Sequence, residues 1–225
     1  HMKNTTKEID LLYKYENGNT LVSIYTDGTK VREYDNIPVI EHPESIDVKI
    51  TNYCDLGCSY CHESSTIEGK HADLNVLLEV FKDLPSGVEL AIGGGNPLSH
   101  PNILWFLQQL KAKGFIANLT VNQGHLMKYY NVLVDLIKDK LIYGLGISIT
   151  NNNFTYVKKL KKLSDNIVYH LIAGVNDVSI INKLIEIGDC KLLLLGYKTF
   201  GFGVKYNNNF SSNIQNNIDN WIKIL

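Results

Sequence analysis

The sequence is short of the features that mark membrane, exported or nucleic-acid-binding proteins. No apolar run approaches the ~20 residues of a membrane span; the longest, Leu192-Leu193-Leu194-Leu195, is strand-sized. The opening residues do not read as a basic-then-apolar leader, and His1-Met2 reads as a vector-derived start. Neither sign of charge is in excess: 22 Lys and Arg face 23 Asp and Glu, a formal charge of −1. No global field therefore attracts nucleic acid or an anionic membrane, and neither is an expected partner. Cysteine is scarce, with only four in 225 residues. Four cysteines without an export signal point to a reducing, cytoplasmic setting, where thiols serve metals or catalysis rather than disulfides. Asparagine runs such as 151–153 and 207–209 are read as gene base composition, not as a prion-like function.

What is present falls into two patterns. Asn17-Gly18 and Asp27-Gly28 are hairpin-turn dipeptides, flanking the short strands Leu21–Tyr25 and Val31–Tyr34. Residues 3–42 are read as a small antiparallel β meander ending near Pro38 and Pro43. Residues 45–225 repeat strand, loop and helix. Strands are expected at Ile46–Thr51, Val88–Ile92, Ile116–Val121, Ile142–Ile149, Ile167–Ile172 and Lys191–Leu195. Helices are expected near Leu74–Leu84, from Ser99 with Pro101 in the first turn to Gly114, and over 125–139, 153–163 and 177–187. A last amphipathic stretch carries Ile214, Ile218, Trp221 and Ile222. Six βα units in series predict an α/β fold, a partial six-stranded (β/α)6 barrel of parallel strands. In such folds the chemistry sits at the C-terminal ends of the strands. The chain ends at Leu225, an apolar residue without a helix stop signal, which fits either a trimmed end or a missing C-terminal segment.

The cysteines gather where the chemistry should be. Cys54-Asp55-Leu56-Gly57-Cys58-Ser59-Tyr60-Cys61 places three thiols in one loop after the first barrel strand. A disulfide needs an even number, and structural zinc usually takes four ligands. Three thiolates can hold a [4Fe–4S] cluster and leave one iron open to a non-protein ligand. The C-x3-C-x2-C spacing, with aromatic Tyr60 before the last cysteine, resembles that of the radical S-adenosylmethionine (SAM) enzymes. The resemblance spans about residues 46–200 and has further parts. Gly94-Gly95-Asn96-Pro97 follows the second strand, where that family carries a Gly-Gly-Glu-Pro-like turn. The resemblance implies that this turn receives the methionine amino group of SAM. Asn96 in place of Glu still offers an acceptor, without charge assistance. Val121-Asn122-Gln123-Gly124 partly matches the Thr-Asn-Gly end of the family's third strand. Ser148 and Thr150 fall where relatives bind ribose hydroxyls, Gly174 in the adenine-side region, and Tyr197 after the sixth strand.

The implied cofactors are one [4Fe–4S] cluster and SAM, with no cysteine group for a second cluster. The implied reaction is reductive cleavage of SAM to a 5′-deoxyadenosyl radical that takes hydrogen from a substrate. An electron donor such as flavodoxin or ferredoxin is an implied partner. The six-stranded barrel leaves a side open, which favours a peptide or protein side chain; a nucleotide or small metabolite is the alternative. A binding or electron-transfer protein with a metal is the reading from another class.

Each assignment has a plainer competitor. The three cysteines could form a zinc site with His62 as fourth ligand. Cys190 reads as a small buried hydrophobe rather than a ligand. Gly93–Pro97 could be only a strand-to-helix turn; it is not the dinucleotide fingerprint, because Leu98 sits where that pattern needs glycine. Lys49, on the inward face with Asp47 and Thr51, either meets a carboxylate of substrate or SAM or pairs with a protein carboxylate. His170 is a candidate for substrate handling or simply packs in the barrel. Lys158, Lys159, Lys161 and Lys162 read as a solvated helix face, and residues 64–71 as a lid or a flexible loop.

Overall fold

A computed structural model describes residues 9–224. His1-Met2, the first residues of the expected meander and Leu225 lie outside the described residues, as does the side chain of Ile214. The chain opens with three antiparallel strands, β1 (Leu11–Asn17), β2 (Thr20–Tyr25) and β3 (Lys30–Glu33), paired in sequence order. The first turn is displaced by one residue from the expected dipeptide. Asn17 closes β1 opposite Thr20, so Gly18-Asn19 forms the turn. Gly18 takes the left-handed conformation at φ +62°.

That shift frees the wholly buried Asn17 side chain for another task. Its Oδ1 accepts from the Glu41 and His42 amides at 2.9 and 2.8 Å, and its Nδ2 donates to the His42 carbonyl at 2.8 Å. Asn19 Oδ1 likewise accepts from Val39 N at 2.7 Å. Two asparagines thus fasten the Pro38–Pro43 connection onto the meander.

The second sheet has six parallel strands in strict sequence order: β4 (Ser45–Thr51), β5 (Glu89–Gly94), β6 (Ile116–Asn122), β7 (Gly144–Ser148), β8 (Ile167–Ile172) and β9 (Lys191–Leu195). Helices follow: α1 (Leu74–Val80), α2 (Ile103–Ala112), α3 (Leu126–Lys138), α4 (Thr155–Lys161), α5 (Val178–Ile187) and α6 (Phe202–Ile224). Among the described residues β4 and β9 are the edges, so the barrel is partial. The helix after β5 starts later than expected. A single 3-10 turn covers Pro97–Ser99, and α2 begins only at Ile103. Pro101 pushes the preceding His100 to extended geometry, φ −67° and ψ 122°, which interrupts the helix.

Strand periodicity sorts the sheet into two faces. Ile50, Leu90, Ile92, Leu119, Ile147, Tyr169 and Leu171 are buried in one cluster with Leu107, Leu133, Leu160 and Leu184 of the helices. The other face carries Ala91, Gly93, Asn118, Thr120, Asn122, Gly146, Ser148 and His170, all half-buried apart from their apolar neighbours. The core therefore lies between sheet and helices, and the inner face is small and polar. On α4, Val157 and Leu160 are buried, while Lys159 lies over the Tyr130 and Tyr156 rings.

Replacing Asn17 with Ala removes three hydrogen bonds and strands the amides of Glu41 and His42. The expected loss is about 2–4 kcal/mol, read as a lower urea midpoint with an unchanged m value.

Candidate functional site

Between β4 and α1 the chain makes an irregular excursion, residues 52–73. Its foot is closed by backbone pairing: Asn52 N to Lys70 O at 2.8 Å, Cys54 N to Thr66 O at 2.9 Å and Ala72 N to Ile50 O at 2.9 Å. Gly57, at φ +62°, reverses the chain between Cys54 and Cys58, a conformation that costs other residues about 1–2 kcal/mol. Cys61 N then bonds to Cys58 O at 3.1 Å. All three thiols are free and half-buried. Burial pushes the Cys54 and Cys58 thiols up, and neighbouring groups (Asp55 and Cys61 for the first, Cys54 and Cys61 for the second) add to this. Iron ligation requires the thiolates, so it displaces protons.

The donor set tests zinc against a cluster. A single tetrahedral zinc ion with Zn–S bonds near 2.3 Å gathers its sulfurs about 4 Å apart. Among the described residues, the set of three metal-ligating side chains drawn within 4.8 Å of one another is Cys54, Asp55 and His125. His62 is turned elsewhere, its Nε2 3.4 Å from both Glu63 Oε1 and Lys198 Nζ. With His62 engaged by Glu63 and Lys198, the fourth ligand of a Cys3His zinc site is not supplied, and three thiols fit a cluster that leaves one iron open.

The turn after β5 is built around this loop. Gly95 N donates to Thr51 O at 2.8 Å and Asn96 N to Tyr53 O at 2.7 Å. A Cβ on Gly94 would lie 2.3 Å from Thr51 O, and one on Gly95 2.2 Å from Tyr53 O. The glycines therefore admit the backbone that leads into the cysteines. Gly94 is itself exposed. Asn96 is turned inward. It is fully buried, and its Oδ1 accepts from Leu98 N at 3.2 Å to cap the 3-10 turn that Pro97 begins. With that oxygen spent inward, Asn96 presents no surface to a ligand.

The neighbouring strand ends close in. Asn122 Nδ2 lies 4.0 Å from Cys58 Sγ, and its Oδ1 accepts from Gly124 N at 2.9 Å and Thr150 Oγ1 at 3.3 Å. Gln123, which sequence reasoning did not single out as a site residue, is buried. Its Oε1 accepts from the Thr150 and Asn151 amides, and its Nε2 donates to Asn153 O. Asn176 was also missed: it joins Ile172 N to Ile149 O across the ends of β8 and β7. Gly174, at φ +82°, lies in the same turn. Ser148 ends β7 on the inner face. Tyr60 and Thr150 line a polar cavity of about 300 Å³ with Ser59, Asn176, Asp177 and Tyr206. Burial and the adjacent Cys58 push the Tyr60 phenol up, so it stays neutral.

Three candidates have protein partners. Lys49 pairs with Glu63, the protein-carboxylate alternative, and that ion pair holds the Glu63 carboxyl below its usual range. Tyr197 donates to Gly203 O at 2.5 Å and stacks on Tyr206, which meets Tyr60 edge-on. His170 lies against Gly146, where a Cβ would come within 2.6 Å of its ring, and burial lowers its pKa. The β9–α6 connection reaches across to the cysteine loop: Phe202 N donates to Cys61 O at 3.0 Å, and Gly201 abuts His62 O. At the mouth, this contact bridges the side that six strands leave open. Another cavity, about 430 Å³, lies elsewhere, among Ile9, Leu12, Ile142, Asn166 and Lys191 at the opposite strand ends.

A thiolate loop after the first strand of an open parallel barrel, facing polar strand ends, defines a cluster-bearing (β/α) enzyme. Residues 48–192 match the model of the radical SAM superfamily, and the chain belongs to that family. It is also 31% identical over 91 residues to a probable GTP 3′,8-cyclase of Methanothermobacter thermautotrophicus. That stretch covers 39% of this chain and 30% of the relative, so the chain spans less than a third of that protein's length. The family fixes the cofactors, a [4Fe–4S] cluster and SAM. No described helix is long and apolar enough to cross a membrane.

Gly95→Ala should cost about 3 kcal/mol or more and lower iron loading, because Tyr53 must shift; thermal melts and iron analysis check both. The pH dependence also has a defined sign. Burial lowers the pKa of His125 and His170 below the ordinary 6.5, despite Asp55 beside His125. The unfolded chain then binds more protons, so this stability is complete above 6.5 and is lost as pH falls toward the lowered values. Melting temperature of the apo chain should drop between about pH 7.5 and about pH 5.5; a flat profile would contradict it.

Proposed function

We propose that Cys54, Cys58 and Cys61 hold the cluster and that SAM lies between it and the inner face. When bound, the cluster supplies one electron that cleaves SAM to methionine and a 5′-deoxyadenosyl radical. The chain's own residues position and shield this chemistry. The backbone of the Gly94–Pro97 turn, exposed at Gly94 beside the cysteine loop, receives the methionine ammonium. Asn96 acts indirectly, by shaping the turn. Tyr60 and Thr150 wall the adenosine side with Ser59 and Asn176; Asn122 holds Thr150 and borders Cys58. Ser148 and His170 line the inner face that the substrate reaches. Tyr197 braces α6 against the mouth. The reductant comes from outside the chain, in an oxygen-poor cytoplasm that suits four free thiols.

The substrate we propose is a small anionic molecule of the nucleotide class. The observation that carries this is the charge beside Cys61. Lys49 pairs with the Glu63 carboxylate, and Lys198 Nζ lies 3.4 Å from His62 Nε2, whose pKa burial and Lys198 lower, so two lysines and a neutral imidazole face one carboxylate and cation is in excess. The α6 bridge narrows the side opening on which a peptide substrate rested. The stretch shared with a probable GTP 3′,8-cyclase agrees with the same reading. A peptide or protein side chain is the second reading, supported by the β4 and β9 edges, beside which no further strand lies among the described residues.

The test is anaerobic reconstitution, dithionite reduction and assay of 5′-deoxyadenosine with SAM. Nucleoside triphosphates should accelerate its formation, and Lys198→Ala should raise KM about tenfold while sparing kcat. Acceleration by peptides alone would favour the second reading. A reduced EPR spectrum unmoved by SAM, in Cys58→Ala and native chain alike, would remove the cluster assignment.

A further inference from the structure

The cysteine loop has a second support that its backbone pairing does not explain. His125 sits 70 residues away, in the 3-10 turn Gln123–His125 that joins β6 to α3, and is only 2% exposed. Its Nε2 lies 2.8 Å from Asp55 Oδ1, and Lys128 Nζ reaches Asp55 Oδ2 at 3.3 Å. Asp55 is the first residue between Cys54 and Cys58. The next residue, Leu56, packs on Gly124 so closely that a Cβ there would lie 2.9 Å from Leu56 Cδ2. Cys58 faces Asn122 at 4.0 Å. The His125 ring is fixed edge-on against Tyr129, at 6.2 Å and 80°.

We propose that the turn Asn122–His125 is a template that holds the cysteine loop in its ligating shape before iron arrives, with His125 as the positioning residue. Three template residues meet three loop residues in antiparallel order: His125 on Asp55, Gly124 on Leu56, Asn122 on Cys58. A free loop of this kind would sample many shapes, and iron binding would have to order it. A carboxylate held by a buried imidazole and an ammonium orders it in advance through charge-assisted hydrogen bonds. Asp55 and His125 also lie within 4.8 Å of the Cys54 sulfur. They do not make a separate metal site, because both Asp55 oxygens and His125 Nε2 are already engaged with each other and with Lys128. The geometry stands whatever the loop binds; its consequence for assembly rests on the cysteines being the cluster ligands.

Hydrogen exchange of the apo chain reads the template directly. Asp55→Ala, at the exposed end of the pair, should speed exchange in residues 54–61 on the order of tenfold or more, with β6 unchanged. His125→Gln, whose amide can still donate to Asp55, should fall between this variant and the native chain. Iron and sulfide uptake during anaerobic reconstitution should slow in the same order, with the final cluster content restored at long times. Native exchange rates in the Asp55→Ala loop would overturn the proposal. Equal acceleration of the loop and β6 would also overturn it, by making the pair a general stabiliser. A native chain whose loop is protected by this pair but takes up no iron would uphold the template and remove the ligand assignment instead.

Discussion

The structure depends on backbone hydrogen bonds between the chain leaving β4 and the turn leaving β5. Thr51 and Tyr53 offer carbonyls to Gly95 and Asn96, and no side chain could intervene at that distance. This contact anchors the start of an irregular segment that has no helix or strand of its own to stiffen it. Lys70 and Thr66 close its other side. Three thiols can then keep fixed positions although most of the loop around them is turn.

The sheet serves the site through its asymmetry. One face is filled with Leu, Ile and Val against the helices, which supplies the burial that stabilises the fold. The other is lined by glycine, alanine, serine, threonine and asparagine, and so leaves room and hydrogen-bonding groups for a polar cofactor. The polar strand ends are tied to each other. Asn122, Gln123 and Asn176 each satisfy backbone or side-chain groups of an adjacent loop. Buried amides of this kind are stable only when their partners are in place, so the loops are positioned as a set.

A partial barrel is open by topology, and here a backbone contact spans that side at the mouth. The β9–α6 connection reaches the cysteine loop, and Tyr60, Tyr206 and Tyr197 form a row of rings beneath it. The consequence is a smaller entrance with lysine and histidine at its rim. Strand count alone therefore does not decide what size of substrate such a barrel admits.

The sequence by itself determined the class of protein. Six periodic strands, the spacing of Cys54, Cys58 and Cys61 and the Gly94–Pro97 turn were legible, because periodicity and local spacing are short-range properties. The Lys191–Leu195 strand was read to the residue. Short-range reading failed where partners are distant in sequence. Asn17 looked like a turn residue and proved to be a fastener for His42. Asn96 caps the turn from a fully buried position, which its place in the glycine turn did not reveal. Lys49 was undecided until Glu63 was seen beside it. Gln123 and the pairing of Asp55 with His125 gave no signal in the sequence, since an isolated amide, acid or histidine acquires its role from what the fold brings opposite it. Tertiary structure alone decided those contacts, because a side chain's protonation, burial and hydrogen bonding depend on neighbours that chain order does not reveal.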